Sequence, residues 1–449
     1  MERKFETEPI SKLVCKLGFP AMFAQFFNIL YSMVDRMFVG HIAKTGSLAL
    51  AGIGICAPAL TAITAFASLI GIGGASLMSM SIGNKNREKA QTVINNAFLM
   101  LSVLSVLTTV VTIILTRPML LGLGCSEAMY PYASRYFRIY VLGTFAVLLG
   151  NGMNQFILAQ GFAKQGMFSV MIGAVINMML DPIFIYGFHM GIAGAAIATV
   201  VSQICVCIYV LCFLHKKDKC IHIGFGRYEY TTMKQILKIG CLPFLIMLLD
   251  NLLVILLNAT LRNYGGSDFG DQYIACAAVV QSFMTLVFYP AQGITTGCGT
   301  LYSYHYGAGN IDKVMEVFRY VFWLCAGYML LLCFLVQLKP EIFAGIFFRD
   351  AKNIKSTASF LQKYTFGLLG VAVQYAFVDG LTAMGQIKYA LPISFFRKGL
   401  YIACVFALPY FFSLEDVFWS ESISDLIGAT VTLVVFILWV VPRMRSEMA

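Results

Sequence analysis

Twelve apolar stretches are the feature that most constrains how this 449-residue chain can fold. A helix of about 20 apolar residues crosses the roughly 30 Å hydrocarbon core of a bilayer. The stretches lie at approximately residues 17–39, 47–80, 91–116, 133–158, 166–188, 191–214, 239–261, 273–302, 314–337, 359–385, 388–411 and 423–442. Because backbone groups in lipid must be satisfied within the protein, we predict an all-α integral membrane protein with twelve transmembrane helices.

Charged residues are too scarce for a water-facing surface. They make up 12% of the chain, against roughly 25% in soluble domains. Mean hydropathy is +0.79. These values exclude a disordered chain, a secreted disulfide scaffold and a nucleic-acid-binding domain. The lipid bilayer is the expected partner, and we expect no nucleic acid partner and a monomer.

The 13 cysteines do not indicate metal or redox chemistry, because nearly all lie inside apolar segments and no CxxC occurs. The five histidines are scattered, and we expect them in solvated loops. The sequence therefore predicts neither a resident metal nor a cofactor. It also lacks HExxH and GxSxG, so it does not predict an intramembrane enzyme.

Lysine and arginine gather in loops on the side of the N-terminus, including the polar segment at 215–238. The positive-inside rule then predicts a multi-pass protein of the cell membrane with both termini cytoplasmic. The first residues, MERKFETEPISK, lack the apolar core of a cleaved signal. We therefore expect the first apolar segment to remain in the mature protein.

A repeat with an offset of 224 residues relates the two halves. Gly83 aligns with Gly307, and the same offset relates Asn86, Lys89, Tyr140, Gly143, Ala159, Gly161 and Lys164 to Asn310, Lys313, Tyr364, Gly367, Ala383, Gly385 and Lys388. This repeat predicts an N-terminal six-helix bundle at 1–214, a cytoplasmic linker at 215–237 and a C-terminal six-helix bundle at 238–449. Six crossings return a chain to its starting side, so we expect a pseudo-twofold axis along the membrane normal. A cleft between the bundles would suit a carrier, and two bundles packed shut as a structural protein are the alternative.

Glycines at 71, 73, 74, 293, 297 and 299 are candidate close-packing or bending points.

Four acidic residues fall well inside the predicted helices: Asp35, Asp181, Asp250 and Asp379. A carboxylate at the bilayer centre costs about 2.5–3.5 kcal/mol on insertion scales, and desolvation favours its protonated form. Such groups suit a carrier coupled to protons or sodium. For Asp250 and Asp379, a cap or an intramembrane hydrogen bond is the alternative, and Asp379 could pair with Arg397.

The strongest candidates for ion coupling are Asp35, Asn177 and Asp181. Asn177 and Asp181 are one helical turn apart, and Pro182 removes a backbone donor beside them. Further polar residues precede Asp35 on its helix and are candidates for coupling or substrate binding: Gln25, Asn28 and Tyr31. The alternative is that Asp35 merely pairs with Arg36.

Several short motifs resemble the multidrug and toxic compound extrusion (MATE) transporters over nearly the whole chain. They comprise Pro20, Val34-Asp35, Phe38-Val39-Gly40, Gly83, Ala159-Gln160-Gly161, Asn177, Leu180-Asp181-Pro182, the run Gly194 to Thr199, and Gly307. The resemblance implies an antiporter that exports amphipathic, often cationic compounds against an inward flow of H⁺ or Na⁺.

In one branch of the family, residues matching Asp35, Asn177 and Asp181 form the cation site, so Na⁺ could bind there instead of H⁺. In another branch an acidic residue of the seventh helix contributes, and Asp250 lies in a comparable place. Leu158 stands where the family often has arginine, and Asp379 is too near Gly385 to match the expected acidic position. These departures weaken the case for a second cation site in the C-terminal half.

The leading hypothesis is a secondary active multidrug antiporter that works by alternating access and has no enzymatic activity. The alternative is a flippase or exporter of a lipid-linked or metabolite substrate with the same two-bundle plan. A channel would be favoured if transport depended on no titrating carboxylate.

Overall fold

The computed structural model describes residues 2–42, 46–123, 125–127, 129–216, 221–348 and 350–448. Within these ranges the secondary structure is helical, with no strand. In the described parts of the chain, ten helical segments are long and apolar enough to cross a membrane, and two bent helix pairs raise the number to twelve. The ten helices and two pairs correspond to the twelve predicted stretches, so the predicted all-α membrane fold is confirmed.

The chain divides into two compact units. Unit 1 comprises Met1–Thr7 and Phe19–Leu248, and unit 2 comprises Glu8–Gly18 and Leu249–Ala449. The first helices are α1 (Glu2–Thr7), α2 (Ile10–Gly40), α3 (Gly46–Gly83), α4 (Arg87–Gly122), α5 (Tyr130–Leu142), α6 (Thr144–Ala159), α7 (Ala163–Pro182) and α8 (Ile192–His215). Helix α9 (Tyr230–Gly307) contributes residues to both units.

Unit 2 continues with shorter and broken helices. They are α10 (Ile311–Leu338), α11 (Pro340–Phe347), α12 (Ala351–Thr365), α13 (Leu368–Val373), α14 (Asp379–Ala383), α15 (Ile387–Phe411), α16 (Trp419–Val435) and α17 (Val441–Met448). Single π-helical turns interrupt the regular helix at Ile183–Gly187, Gln374–Val378 and Phe436–Val440, and a 3₁₀ turn spans Leu414–Phe418.

Helix α9 differs from the expectation of two separate segments at 239–261 and 273–302. It is one helix of 78 residues that contains two candidate spans, Tyr230–Gly265 and Gln272–Gly307. Polar residues such as Arg262 and Asn263 lie between the two predicted segments and lower the hydropathy there. Those residues do not stop a helix, so the hydropathy minimum does not mark a break.

The repeat has the same local structure at both of its copies. Asn86 caps α4 by accepting a hydrogen bond from the Lys89 N–H at 2.9 Å, and Asn310 caps α10 in the same way from Lys313 at 3.2 Å. Equivalent hydroxyls also bond equivalent carbonyls: Ser79 Oγ to Ala159 O at 3.3 Å, and Ser303 Oγ to Ala383 O at 2.7 Å. These shared contacts support the predicted repeat.

Glycine breaks the helix at equivalent places in each unit. The chain bends by 55° between α5 and α6 at Gly143, and by 44° between α12 and α13 at Gly367. A side chain is excluded at both positions. A Cβ on Gly143 would lie 2.7 Å from the Val200 side chain, and one on Gly367 would lie 2.6 Å from Ser422 Cα. Both glycines have ordinary backbone angles, with φ of −81° and −82°, so close packing is what requires glycine at the bends.

The predicted close packing of α3 is confirmed at Gly71 and Gly73. A Cβ on Gly71 would lie 2.8 Å from Gly152 O, and a Cβ on Gly73 would lie 2.2 Å from Ile236 O. On the facing helix, a Cβ on Gly240 would lie 1.7 Å from Leu69 O. Helix α3 therefore approaches α6 and α9 at distances that larger residues do not allow.

Part of the predicted linker, residues 215–237, is helical, and the non-helical part is shorter than predicted. His215 ends α8 and Tyr230 begins α9, while residues 217–220 lie outside the described residues. We call residues 221–229 the strap. Three amide side chains of α4, Gln91, Asn95 and Asn96, bond the backbone groups of His222, Gly224, Gly226, Arg227 and Glu229. These bonds replace the backbone partners that an extended segment lacks, so the strap is held along α4.

Candidate functional site

Helix α7 carries two fully buried polar side chains one turn apart. Asn177 and Asp181 both have 0% exposure. The Asn177 Nδ2 group donates to Asp181 Oδ1 at 3.5 Å and to Thr199 Oγ1 of α8 at 3.4 Å. Spacing of four residues places both on one face, as the sequence predicts. These long bonds hold the amide between two helices of unit 1.

Helix α2 brings a second carboxyl group to the same place. Asp35 is half-buried, and its carboxyl group lies within hydrogen-bonding reach of Asp181. An ionised carboxylate only accepts hydrogen bonds, so two carboxyl groups in contact need a proton between them. The geometry of this pair therefore favours binding of one positive charge, and repulsion opposes ionisation of both groups.

Three oxygen atoms at this site have no hydrogen-bond partner among the described residues: Asp35 Oδ1, Asn177 Oδ1 and Asp181 Oδ2. A buried acceptor without a partner is unfavourable. Oxygen ligands suit a proton or a hard cation such as Na⁺. The two carboxyls and one amide supply these oxygens, and the described residues contain no group of three or more His, Cys, Asp or Glu arranged for a metal ion.

A π-helical turn follows the buried pair directly. Helix α7 ends at Pro182, and residues Ile183–Gly187 form the π turn. Proline has no N–H, which removes one helical hydrogen bond beside Asp181. Such turns are frequent at functional sites because they shift backbone groups out of the α-helical register. The sequence signal for this irregularity was Pro182 itself.

The small residues of α8 allow this turn to pack closely. A Cβ on Gly194 would lie 2.7 Å from the Phe184 carbonyl carbon and 2.9 Å from Ile185 N. The neighbouring Ala195, Ala196 and Ala198 are fully buried. The glycine and alanine run before Thr199 therefore sets how near α8 comes to the turn, and with it the position of Thr199 against Asn177.

Sequence reasoning did not assign three residues to this site: Thr199, Tyr136 and Tyr140. Thr199 contacts Asn177, and Tyr136 of α5 is buried and interacts electrostatically with both Asp35 and Tyr31. The Tyr136 ring stacks on Tyr140, with centroids 6.3 Å apart. The two tyrosines are four residues apart on one helix face, a usable signal, but nothing in the sequence places α5 beside α2.

The alternative role for Asp35, an ion pair with Arg36, is not what the structure contains. Among the described side chains, Asp35 forms no salt bridge with Arg36, and Arg36 is exposed. Consecutive helical residues point about 100° apart, which separates the two groups. Asp35 faces Asp181. Arg36 interacts with Asp35 only as a nearby positive charge, without an ion pair.

The other α2 candidates lie at increasing distances from Asp35. Tyr31, one turn away, interacts with Tyr136. Asn28 donates to Gln25 Oε1 at 3.4 Å, and both are half-buried. A rise of about 1.5 Å per residue puts Gln25 roughly 15 Å from Asp35 along the axis. Gln25 and Asn28 are thus a separate polar pair on the same helix.

Asp250 and Asp379 belong to unit 2 and have partners of their own. Asp250 forms an ion pair with Lys398, and its side chain is 52% exposed. Asp379 accepts a hydrogen bond from Thr295 Oγ1 at 2.6 Å. The suggested pairing of Asp379 with Arg397 is wrong, because Arg397 bonds Glu421 and Asp425 instead.

The expectation that only four acidic residues lie inside the helices is also wrong. Asp425 is fully buried and Glu421 is buried. The twelfth stretch, predicted from 423, forms part of a span that runs from Leu414 to Ser446. Hydropathy is low at the start of this span because of four polar side chains: Ser420, Glu421, Ser422 and Ser424. The predicted stretch therefore begins too late. Similarly, His305 is buried in α9 and not in a solvated loop.

Comparison with known proteins identifies the family that this arrangement belongs to. The MatE family model matches residues 20–183 and again residues 244–407. Both ends of the second match lie 224 residues after those of the first, which confirms the predicted repeat.

Curated relatives match almost end to end. The chain is 25% identical over 428 residues to the multidrug export protein MepA of Staphylococcus haemolyticus, covering 95% of this chain and 93% of that protein. It is 24% identical over 439 residues to MepA of Staphylococcus aureus strain MSSA476, covering 97% and 95%.

Solved structures share the fold over nearly the whole length. One is the outward-facing conformation of a multidrug resistance MATE family transporter of the MOP superfamily, with a TM-score of 0.91, 21% identity and coverage of 99% of this chain and 98% of that chain. Another is a MOP superfamily transporter from Pyrococcus furiosus, described as having a binding pocket of reverse polarity that suggests a different function. Its TM-score is 0.90, its identity 21%, and the coverage 99% and 97%.

Proposed function

This chain belongs to the MatE family, and from that premise we propose that it is a secondary active antiporter. It exports amphipathic or cationic xenobiotics in exchange for H⁺ or Na⁺ by alternating access. The coupling ion binds at Asp35, Asn177 and Asp181. The protein works as a monomer in the cell membrane with both termini in the cytoplasm.

The contact between the carboxyl groups of Asp35 and Asp181 is the observation that carries the proposal. The pair cannot stay in contact with both groups ionised, so it needs one bound cation to keep this arrangement. Loss of the cation leaves two negative charges that repel each other. A site whose geometry depends on a bound cation can convert ion binding and release into movement of α2 against α7.

The curated relatives support the substrate class in the proposal. MepA of two Staphylococcus species is a multidrug export protein, and it matches this chain almost end to end. Exposed and half-buried aromatic and methionine side chains can hold flat, cationic compounds by stacking and cation–π contacts. We propose the same class of substrate for this chain.

The polar groups around the two carboxyls support a role beyond a structural hydrogen bond. A structural pair would have its acceptors satisfied, whereas three oxygens here have no partner among the described residues. Thr199 and the π turn after Pro182 hold Asn177 and Asp181 in place from two sides. The carboxyls are therefore positioned while retaining free acceptor capacity for an ion.

Dye efflux from proteoliposomes tests the proposal. Purified protein is reconstituted with a lipophilic cationic dye, and a pH gradient and a sodium gradient are imposed in separate experiments. We expect efflux to follow one of the gradients. Asp35→Asn and Asp181→Asn keep the shape of each side chain but remove its charge, so each should abolish gradient-driven efflux and leave the folded protein intact.

Glu127→Gln is the matched control, because Glu127 is an exposed acid of the same unit. It should retain efflux under both gradients. Unchanged efflux in Asp35→Asn would refute coupling through this site. Efflux that needs neither gradient would favour a channel. Translocation of a lipid-linked substrate without dye efflux would favour the flippase alternative.

A further inference from the structure

Helices α15 and α16 of unit 2 enclose a charged cluster that the proposed coupling site does not include. Arg397 donates hydrogen bonds to Asp425 Oδ1 and to Glu421 Oε1, the latter at 3.3 Å. The exposed side-chain fractions are 0% for Asp425, 8% for Glu421 and 15% for Arg397. All three lie within candidate membrane spans, Arg397 in Ile387–Phe411 and the two acids in Leu414–Ser446.

Glycines make the packing around this cluster tight. A Cβ on Gly370 would lie 2.5 Å from Asp425 O, and one on Gly428 would lie 3.0 Å from Arg397 Cγ. Gln374 donates to Thr432 Oγ1 at 2.8 Å on the same side of α16. The surrounding backbone therefore approaches closely, and the charges must be balanced by the few groups present.

Two tyrosines complete the hydrogen bonding of the Glu421 carboxylate but not that of Asp425. Tyr364 donates to Glu421 Oε2 at 3.2 Å and accepts from Gln281 Nε2 at 3.1 Å. Because the single Tyr364 proton is used on Glu421, Tyr401 is the donor in the 3.4 Å contact between the two hydroxyls. Both Glu421 oxygens thus have a donor.

Asp425 Oδ2 is the one carboxylate oxygen of the cluster without a partner. It is fully buried, and no described group donates to it. Asp425 Oδ1 already accepts from Arg397. The unpartnered oxygen therefore has free acceptor capacity inside a site that excludes solvent.

The charges of the cluster do not balance. Arginine stays protonated in proteins, so Arg397 supplies one positive charge against two carboxylates. Lys398 also acts on Asp425, but it is paired with Asp250, and Asp250 in turn acts on Arg397. This neighbouring pair is neutral and leaves the deficit unchanged. One uncompensated negative charge in a buried site is unfavourable unless something neutralises it.

We propose that the Arg397–Glu421–Asp425 cluster is a proton-binding site of unit 2, with Asp425 Oδ2 as the atom that takes up the proton. The new O–H bond forms as a hydronium ion gives up its proton and becomes water, and release transfers the proton back to a water molecule. A metal cation fits the site poorly, because it needs several oxygen ligands and would lie beside the Arg397 guanidinium.

The inference rests on the proposed function, since a second proton site matters to a carrier driven by protons. It places that site on residues of α15 and α16 and not on Asp250 or Asp379, the acidic residues that the sequence singled out. The two sites are in different units and share no residue. Their protons can therefore be measured separately.

Proton uptake by the purified full-length protein tests the proposal without any transport. Uptake is measured between about pH 8 and about pH 5.5, a range in which ordinary exposed carboxylates stay ionised. Infrared difference spectra over the same range follow the band of buried protonated carboxyl groups. We expect Asp425→Asn to bind one proton fewer than the wild type and to lose one component of that band.

Glu421→Gln gives the sharper prediction, because it removes a different carboxylate. With Glu421 neutral, Asp425 and Arg397 balance each other, so the uptake of one proton should disappear although Asp425 is still present. Glu341→Gln is the control, since Glu341 is an exposed acid of α11. It should bind as many protons as the wild type.

Wild-type uptake in both Asp425→Asn and Glu421→Gln would overturn the proposal. If Asp425→Asn does not fold, Glu421→Gln decides alone. The proposed function fails in a different way, through unchanged gradient-driven efflux in Asp35→Asn. Either result can occur without the other, because one is measured by proton binding and the other by transport.

Discussion

Gly194→Ala tests whether the small residues of α8 position the proposed coupling site. The new Cβ would meet three backbone atoms, at 2.7 Å from Phe184 C, 2.8 Å from Phe184 O and 2.9 Å from Ile185 N. Backbone atoms cannot rotate away as a side chain can. An ordinary contact begins at 3.4 Å, so relieving the closest contact requires α8 and the π turn to separate by about 0.7 Å.

That displacement has a cost in stability and a consequence for the site. Overpacking of this size lowers the free energy of unfolding by about 1–3 kcal/mol. The Asn177–Thr199 bond, at 3.4 Å, is already near the limit of a hydrogen bond and would be lost. We therefore expect a lower melting temperature in detergent and reduced ion-driven dye efflux.

Gly187→Ala is the matched control, because it lies in the same π turn and its Cβ would meet nothing within 4 Å. Both substitutions exchange glycine for alanine, so the reduced flexibility of the unfolded chain is similar in each. We expect Gly187→Ala to stay within about 0.5 kcal/mol of the wild type and to retain efflux. Equal melting temperatures and equal efflux for the two variants would refute the argument.

Two further substitutions test the packing and the strap. Asn96→Ala removes the bonds to Arg227 O and Glu229 N, at 3.1 and 2.9 Å. At about 0.5–1.5 kcal/mol for each bond, it should loosen the strap and speed tryptic cleavage after Arg227; an unchanged cleavage rate would contradict this role. Gly240→Ala would place a Cβ 1.7 Å from Leu69 O. It should lower the yield of folded protein in size-exclusion chromatography far more than Gly187→Ala, and equal yields would argue against the close approach of α3 and α9.

The apolar segments and the repeat could be predicted because each depends on local sequence. About 20 apolar residues in a row have few alternatives to a membrane helix. The offset of 224 residues was readable because caps and glycines have strict local requirements, as at Asn86 and Asn310. The two helix breaks at Gly143 and Gly367 were not predicted as bends, since hydropathy does not report on backbone direction.

The buried polar residues of the proposed coupling site could also be singled out in the sequence, for a similar reason. Asp35, Asn177 and Asp181 are rare residue types for a membrane helix, and rarity marks them without any knowledge of their neighbours. Thr199 and Tyr136 are ordinary residues of amphipathic or small-residue helices. Their role follows only from which helices are adjacent.

The sequence by itself determined how many segments enter the membrane, the repeat that relates them and the carboxyl groups that lie within them. These follow from the cost of exposing polar groups to lipid, which acts on each residue where it stands. Only the tertiary structure decided which charges face each other: Asp35 meets Asp181 and not Arg36, while Arg397 meets Asp425 and not Asp379. Electrostatic contact depends on distances of a few ångströms between helices, and the sequence order of those helices does not fix such distances.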